Sequence, residues 1–279
     1  MKNRFLITLL LPAILAFSTP SYAHQKSMID EVKARGVLRA GIKTDMPYIG
    51  FIDESGKNAG FEIDLITDIA KRLGVKIEYI PTTISTRVQM LQQGRIDLIM
   101  ATVTHYRTRD DVVDFSIDYL YTPQTLLVKK SSNINSVADM EGKRMGAAMG
   151  SGSLKKFPVA QPKATTQAFS SWPDTFFALE RGLIDAVATD NILLQSLKMA
   201  SENRDEYVLL GKNGTYSGGY YAVALRENDS KSRDAINYLL QDQWLDGTWQ
   251  TAFDKWFGKD STLKMTVSDF NDYEMRVWD

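Results

Sequence analysis

The sequence predicts an α/β protein of two similar lobes, each a mixed, mostly parallel sheet flanked by helices, joined by two extended hinge strands. Three observations carry this reading. Apolar residues alternate along the chain between helical spacing and short runs of buried-strand type. A unit of helix, Gly, x-Ile-Asp and strand occurs twice: residues 86–93, Gly94, Ile96-Asp97 and a strand to Thr102, then residues 176–181, Gly182, Ile184-Asp185 and a strand to Thr189. Two extended aromatic and apolar runs, residues 119–130 and 218–225, suit the passage from one lobe to the other and back. The expected division is a first lobe of residues 24–120 and 220–279 and a second of residues 121–219.

Composition narrows the chemistry. The chain has 279 residues, a net charge of −1 and no basic block, which gives no support for nucleic acid or an anionic membrane as partner. There is no cysteine, so disulfides, thiolate nucleophiles and zinc-cysteine sites are excluded. Two histidines, His24 and His105, are too few for an ordinary transition-metal cluster, and no metal or cofactor is expected. Lys2 and Arg4 precede an apolar run, residues 5–17, and Ser21-Tyr22-Ala23 follows. That pattern reads as a signal peptide cleaved after Ala23, with export of the mature chain to a periplasm.

Taken in order, residues 26–35 form a short amphipathic helix ended by Gly36, and the strand 37–42 delivers Lys43-Thr44-Asp45-Met46 to a loop at its carboxyl end. Ligands of open α/β sheets gather at such ends. Residues 51–61 read as a hairpin around Glu54-Ser55-Gly56-Lys57, residues 61–73 as a helix stopped by Gly74, and residues 75–80 as the next strand. A strand from 144 to 149 feeds Gly150-Ser151-Gly152-Ser153 and then a helix. Such a turn offers backbone N–H groups to an anion, or is a plain tight turn. Helices at 234–245 and 247–257 and a tail complete the chain, with Trp244, Trp249 and Trp256 expected in the core.

The stretch Ala101 to Ser116, ATVTHYRTRDDVVDFS, carries the chemistry. Thr102 and Thr104 lie on alternate residues, which a strand points to one side. Arg109, five residues on, falls in the first turn of a short helix. Its two parallel N–H donors suit a small carboxylate, although pairing with Asp110, Asp111 or Asp114 is the competing reading. Asp190, at the end of the duplicate strand, suits an ammonium group or serves as a helix N-cap. No nucleophile elbow, phosphate loop, dinucleotide fingerprint or calcium loop is present.

At these residues the chain resembles a periplasmic amino-acid-binding protein, the receptor of an ABC importer, over nearly all its mature length. Gly60-Phe61-Glu62-Ile63-Asp64-Leu65, Thr104 with Arg109 and Val113-Asp114-Phe115-Ser116, Asp190 and Gly152 carry the resemblance. It implies a type II periplasmic binding protein fold, a monomer, and a ligand held between the lobes. Arg109, Thr102, Thr104 and the Gly152 amide would take the α-carboxylate, and Asp190 the α-ammonium. The greatest similarity is to receptors for glutamate and aspartate, which implies Arg87 and Lys43 as partners of the side-chain carboxylate and Trp172 as a ligand contact. Asp45 aligns with an acid that faces the side chain in receptors for basic amino acids and glutamine, or pairs with Lys43; Ile84 replaces a hydroxyl residue. A carboxylate about 4 Å from one cation gains roughly 4 kcal/mol at an effective dielectric near 20, before desolvation. A quarter of that is almost tenfold in affinity, since about 1.4 kcal/mol is a factor of ten.

The resemblance also implies an inner-membrane ABC permease as partner, and a chemoreceptor as a second one. The rival reading is an enzyme on the same scaffold, a dehydratase of prephenate or arogenate, which needs a carboxylic acid in the cleft. Residues 143–171 contain no Asp or Glu. A receptor for glutamine or arginine is the remaining alternative.

Overall fold

The computed structural model describes residues 26–270 and 273–278. The expected signal peptide, its cleavage after Ala23, and His24 lie outside them. The order is α1 (Met28–Arg35), β1 (Val37–Ile42), the small hairpin strands β2 (Asp45–Met46), β3 (Gly50–Ile52) and β4 (Asn58–Ala59), α2 (Phe61–Arg72) and β5 (Lys76–Pro81). It continues with α3 (Arg87–Gln92), β6 (Leu98–Ile99), β7 (Asp114–Lys129), β8 (Arg144–Ala148), α4 (Ser153–Ala160), β9 (Thr165–Phe169), α5 (Trp172–Glu180) and β10 (Ala186–Asp190). Then come α6 (Asn191–Ala200), β11 (Tyr207–Leu209), the single turn α7 (Gly211–Gly214), β12 (Ser217–Leu225), α8 (Ser230–Leu245) and α9 (Thr248–Trp256).

In the first lobe, β5, β1 and β6 are parallel; in the second, β10, β8 and β9 are parallel. The two groups are not separate sheets. They join in one sheet of order β5-β1-β6-β12-β7-β10-β8-β9, with β11 also on β7. The cause is the length of β7. At 16 residues it pairs antiparallel with β12 from Asp114 to Gln124 and with β10 from Gln124 to Val128. The two extended runs are thus one antiparallel ribbon, with Tyr121 opposite Tyr220.

The repeated Ile-Asp unit is repeated in space. Asp97 accepts the backbone N–H of Arg39 at 2.7 Å and its Nη2 at 2.8 Å, and also bonds Arg35. Asp185 accepts the backbone N–H of Arg144 at 2.8 Å, its Nε at 3.0 Å and its Nη2 at 2.9 Å. Ile96 and Ile184 pack against Gly41 and Gly146, the second residue after each of those arginines, where a Cβ would strike the isoleucine. Each lobe therefore clamps its first strand to its helix-to-strand connection by one device.

Buried residues from both lobes form a single apolar cluster, with a smaller one around Met90, Leu91, Ile96 and Ile99. Trp249 is buried and donates Nε1–H to the Tyr119 carbonyl at 2.8 Å. Trp244 and Trp256 are half-buried at the edge of the same cluster, as core packing of the three tryptophans requires.

One expectation fails locally. The strand does not run from Ile96 to Thr102; β6 stops at Ile99 and Thr102 has φ 51°. Beyond it the chain is captured by β12, with Thr104 bridged to Tyr221 and the Ala222 N–H donated to the Val103 carbonyl at 3.1 Å. The short helix expected at Arg109 is one 3-10 turn, Arg107–Arg109.

Candidate functional site

A small cavity lies between the lobes at the carboxyl ends of β6, β8 and β10. The first lobe lines it with Ile84, Arg87, Thr102, Thr104 and Arg109, and the second with Ser151, Gly152, Ser153, Trp172, Thr189, Asp190 and Leu193. Gln124, on the ribbon strand β7, completes the wall. Seven residues singled out in the sequence, Arg109, Thr104, Thr102, Asp190, Gly152, Arg87 and Trp172, are thereby brought together. Strand alternation does not explain how Thr102 and Thr104 come to line the same cavity. The left-handed turn at Thr102 and the bridge from Thr104 to β12 place them instead.

Arg109 donates Nη1–H to the Thr104 carbonyl at 2.6 Å and packs over the Tyr106 ring, 5.0 Å from its centre. It forms no ion pair with the neighbouring acids among the described residues. Asp110 pairs instead with His105 at 2.7 Å, and Asp114 accepts the Asn228 N–H at 3.0 Å. Burial pushes the Arg109 guanidinium down from its ordinary value, and Asp190 opposes that shift.

Asp190 occupies the N-cap position of α6, but its side chain makes no capping bond. The carboxylate turns into the cavity, where it accepts the Tyr221 hydroxyl at 2.8 Å and the Gln124 amide at 3.2 Å. Burial pushes it up to about 6, although both donors pull the other way.

Arg87 is buried, lines the cavity and donates Nη1–H to the Ala101 carbonyl. Burial, and then the charge of Arg109, push it down to about 10. Lys43 and Asp45 do not line this cavity. Lys43 is buried and forms an ion pair with Asp45 at 2.9 Å, while Asp45 is exposed at the hairpin. That pair commits the ammonium to the hairpin acid.

The lobes meet around the cavity. The Tyr106 ring, from the first lobe, packs so close to Gly152 that a Cβ there would lie 2.6 Å from it. Lys156 of α4 stands 4.0 Å from the centre of the same ring, and Gln124 donates to the Tyr106 hydroxyl at 3.0 Å. Three buried polar atoms of the lining have no partner among the described residues: Gln124 Oε1, Ser151 Oγ and Trp172 Nε1. Such atoms are costly unless a ligand satisfies them.

Gln124, Tyr106, Tyr221 and Glu62 were not among the residues singled out for the site. A lone amide inside the apolar run of β7 was a usable signal for Gln124. Nothing local marks Tyr221, which meets Asp190 only because β12 returns along β7.

The family model for bacterial extracellular solute-binding proteins, family 3, matches residues 38–259, and the protein belongs to that family. It is 34% identical over 241 residues to the ABC transporter glutamine-binding protein GlnH of Bacillus subtilis, covering 85% of this chain and 86% of that one. It is 28% identical over 238 residues to the glutamate-binding protein GluB of Corynebacterium glutamicum, covering 82% and 81% respectively. Among solved structures, an ancestral arginine-binding protein, in forms bound to glutamine and to arginine, is 36% identical with a TM-score of 0.75, covering 80% of this chain and 99% of that one. Among the described residues no helix is long and apolar enough to cross a membrane.

Proposed function

We propose that the protein is the amino-acid receptor of an ABC importer, working in the periplasm after loss of its first 23 residues, and that its ligand is L-glutamate or L-aspartate. The observation that carries the ligand class is the charge of the cavity. Two guanidiniums, Arg87 and Arg109, face one carboxylate, Asp190. A zwitterion with a neutral side chain leaves one positive charge in excess in a buried place, and a second carboxylate cancels it. Arg109, with Thr104, Thr102 and the Gly152 amide, takes the α-carboxylate; Asp190 takes the ammonium; Arg87 takes the distal carboxylate; Trp172 packs on the ligand. An inner-membrane permease then accepts the ligand from the closed form, and no bond is made or broken.

Glutamine is the second reading. The unpartnered Gln124 Oε1 would accept an amide N–H, and the relative from Bacillus subtilis is named for glutamine. A dehydratase finds less support. Asp190 is the one acid among the described lining residues, and it already holds Tyr221 and Gln124.

The test is calorimetric titration of protein refolded to strip bound ligand, using glutamate, aspartate, glutamine, arginine and prephenate. Saturable binding of glutamate or aspartate is expected, abolished by Arg109→Ala. Arg87→Ala should weaken acidic ligands roughly tenfold more than glutamine, the worth of about 1.4 kcal/mol. Binding of glutamine or arginine alone would remove the acidic assignment, and turnover of prephenate would remove the receptor.

A further inference from the structure

We infer that Glu62 sets the charge preference of the ligand site from outside the cavity, by holding the far end of the peptide group that Arg87 holds at its near end. This rests on the amino-acid-binding reading above. Glu62 is the second residue of α2 and is 1% exposed. Its Oε1 accepts the Thr102 N–H at 2.7 Å and the Tyr119 hydroxyl, and its Oε2 has no partner among the described residues. The Thr102 N–H and the Ala101 carbonyl belong to one peptide bond, and the carbonyl is the acceptor of Arg87 Nη1. A carboxylate and a guanidinium are thus linked through a single polarised amide rather than by direct contact.

Two consequences follow. First, the arrangement holds Thr102 at φ 51°, a conformation that costs a β-branched residue on the order of 1–3 kcal/mol unless its surroundings impose it. Thr102 and Arg87 both line the cavity, so Glu62 positions two ligand-facing groups without touching a ligand. Second, the carboxylate tempers Arg87. Hydrogen bonds in series polarise one another, and charges act at longer range in a low-dielectric interior, so an ionised Glu62 reduces the excess positive potential facing the ligand side chain. Burial pushes the Glu62 carboxyl up, while its two donors, then Lys43 and Arg87, favour the ionised form. An apolar residue would fill this position without the desolvation cost; a glutamine would keep both bonds to Oε1 and lose only the charge.

That difference is the experiment. The full-length protein, Glu62→Gln and Glu62→Asp are titrated with glutamate, glutamine and arginine at pH 7.5, with thermal melts run in parallel. Glu62→Gln should melt near the parent and shift the glutamine-to-glutamate ratio of Kd roughly tenfold in favour of glutamate, as expected for one charge unmasked at partly screened range. Arginine should weaken further. Glu62→Asp, which keeps the charge on a shorter stem, should bind every ligand more weakly with the ratio held within about twofold. A folded Glu62→Gln with the parental ratio overturns the inference. If Glu62→Gln does not fold, Glu62→Asp decides: weaker binding of every ligand at a constant ratio supports the role, and parental affinities or a tenfold shift in the ratio overturn it. Parent protein that binds glutamine or arginine rather than glutamate removes the acidic assignment, and the inference is then decided by the arginine-to-glutamine ratio of Kd, which Glu62→Gln should raise and which, if unchanged, overturns it. Parent protein that binds no amino acid removes the receptor reading, and this inference with it.

Discussion

Asp190 carries the pH dependence of the site. Its carboxyl is pushed up to about 6 by burial, and the proposed ligand ammonium needs it ionised. Affinity should therefore be level between pH 7 and 8 and fall roughly tenfold per unit below about pH 6. The ligand-free fold has the opposite slope. The folded pKa lies above the ordinary 3.8, so the native state binds the proton more tightly, and this group's stabilising contribution is lost as pH rises from about 4 to about 6. Kd measured from pH 5 to 8 checks the first statement; Asp190→Asn should bind weakly with the step removed. A step that survives the substitution would place the titrating group elsewhere. The residue was legible, as a lone acid at the end of a repeated strand, but position alone did not choose between an ammonium partner and a capping side chain. By position it is an N-cap, and what turns it into the cavity is Tyr221, 31 residues away in sequence.

At the scale of the element, the repeated unit of Gly, x-Ile-Asp and strand is a structural clamp, and its two copies are unequally buried. The Asp97 side chain is 1% exposed and that of Asp185 is 27% exposed. Asp97→Ala removes the acceptor of a backbone N–H and of two arginines in a buried place, and should destabilise the protein by about 3–5 kcal/mol. Asp185→Ala should cost less, because water replaces part of what is lost. Urea unfolding of both variants measures the difference, and equal losses would show that burial does not set the cost. Both copies could be read from sequence because glycine stops, apolar spacing and an aspartate before a strand are local signals. The stretch from Met100 to Val113 could not. Its propensity continues β6, yet its backbone is taken by β12, a partner more than 100 residues later, and by Arg87 and Glu62. The single continuous sheet escaped for the same reason, since only the register of β7 against both β12 and β10 creates it.

At the scale of the whole molecule, the lobes meet around the cavity and also along the carboxyl-terminal tail, where Asn191 donates to the Asp269 carbonyl at 2.7 Å and Gln195 to the Leu263 carbonyl at 3.2 Å. Tyr106 of the first lobe packs on Gly152 and under Lys156, and Ser196 of α6 donates to the Pro47 carbonyl at 2.6 Å. Among the described residues, only the paired strands β7 and β12 continue the sheet from one lobe into the other, and a ribbon of two strands bends more easily than a full sheet. A ligand that bonds both lobes therefore shifts the population toward the closed form by its differential affinity. Small-angle scattering should show a smaller radius of gyration with saturating ligand. Ligand at about 100 times Kd should stabilise the fold by about 2.7 kcal/mol, which for a chain of this size is a rise of roughly 5–10 °C in Tm. Gly152→Val separates closure from the pocket chemistry. A Cβ at 152 would lie 2.6 Å from the Tyr106 ring, which Lys156 and Arg109 also crowd at 4.0 and 5.0 Å from its centre. The variant should keep the ligand-free melting temperature, lose at least about tenfold in affinity, and show no contraction in scattering. Tyr106→Ala in the same chain removes the obstacle and should restore the contraction. If Gly152→Val instead binds and contracts like the parent, the lobes close without the approach of Tyr106 to the second lobe, and the closing contact must be sought at Ser196 and Pro47.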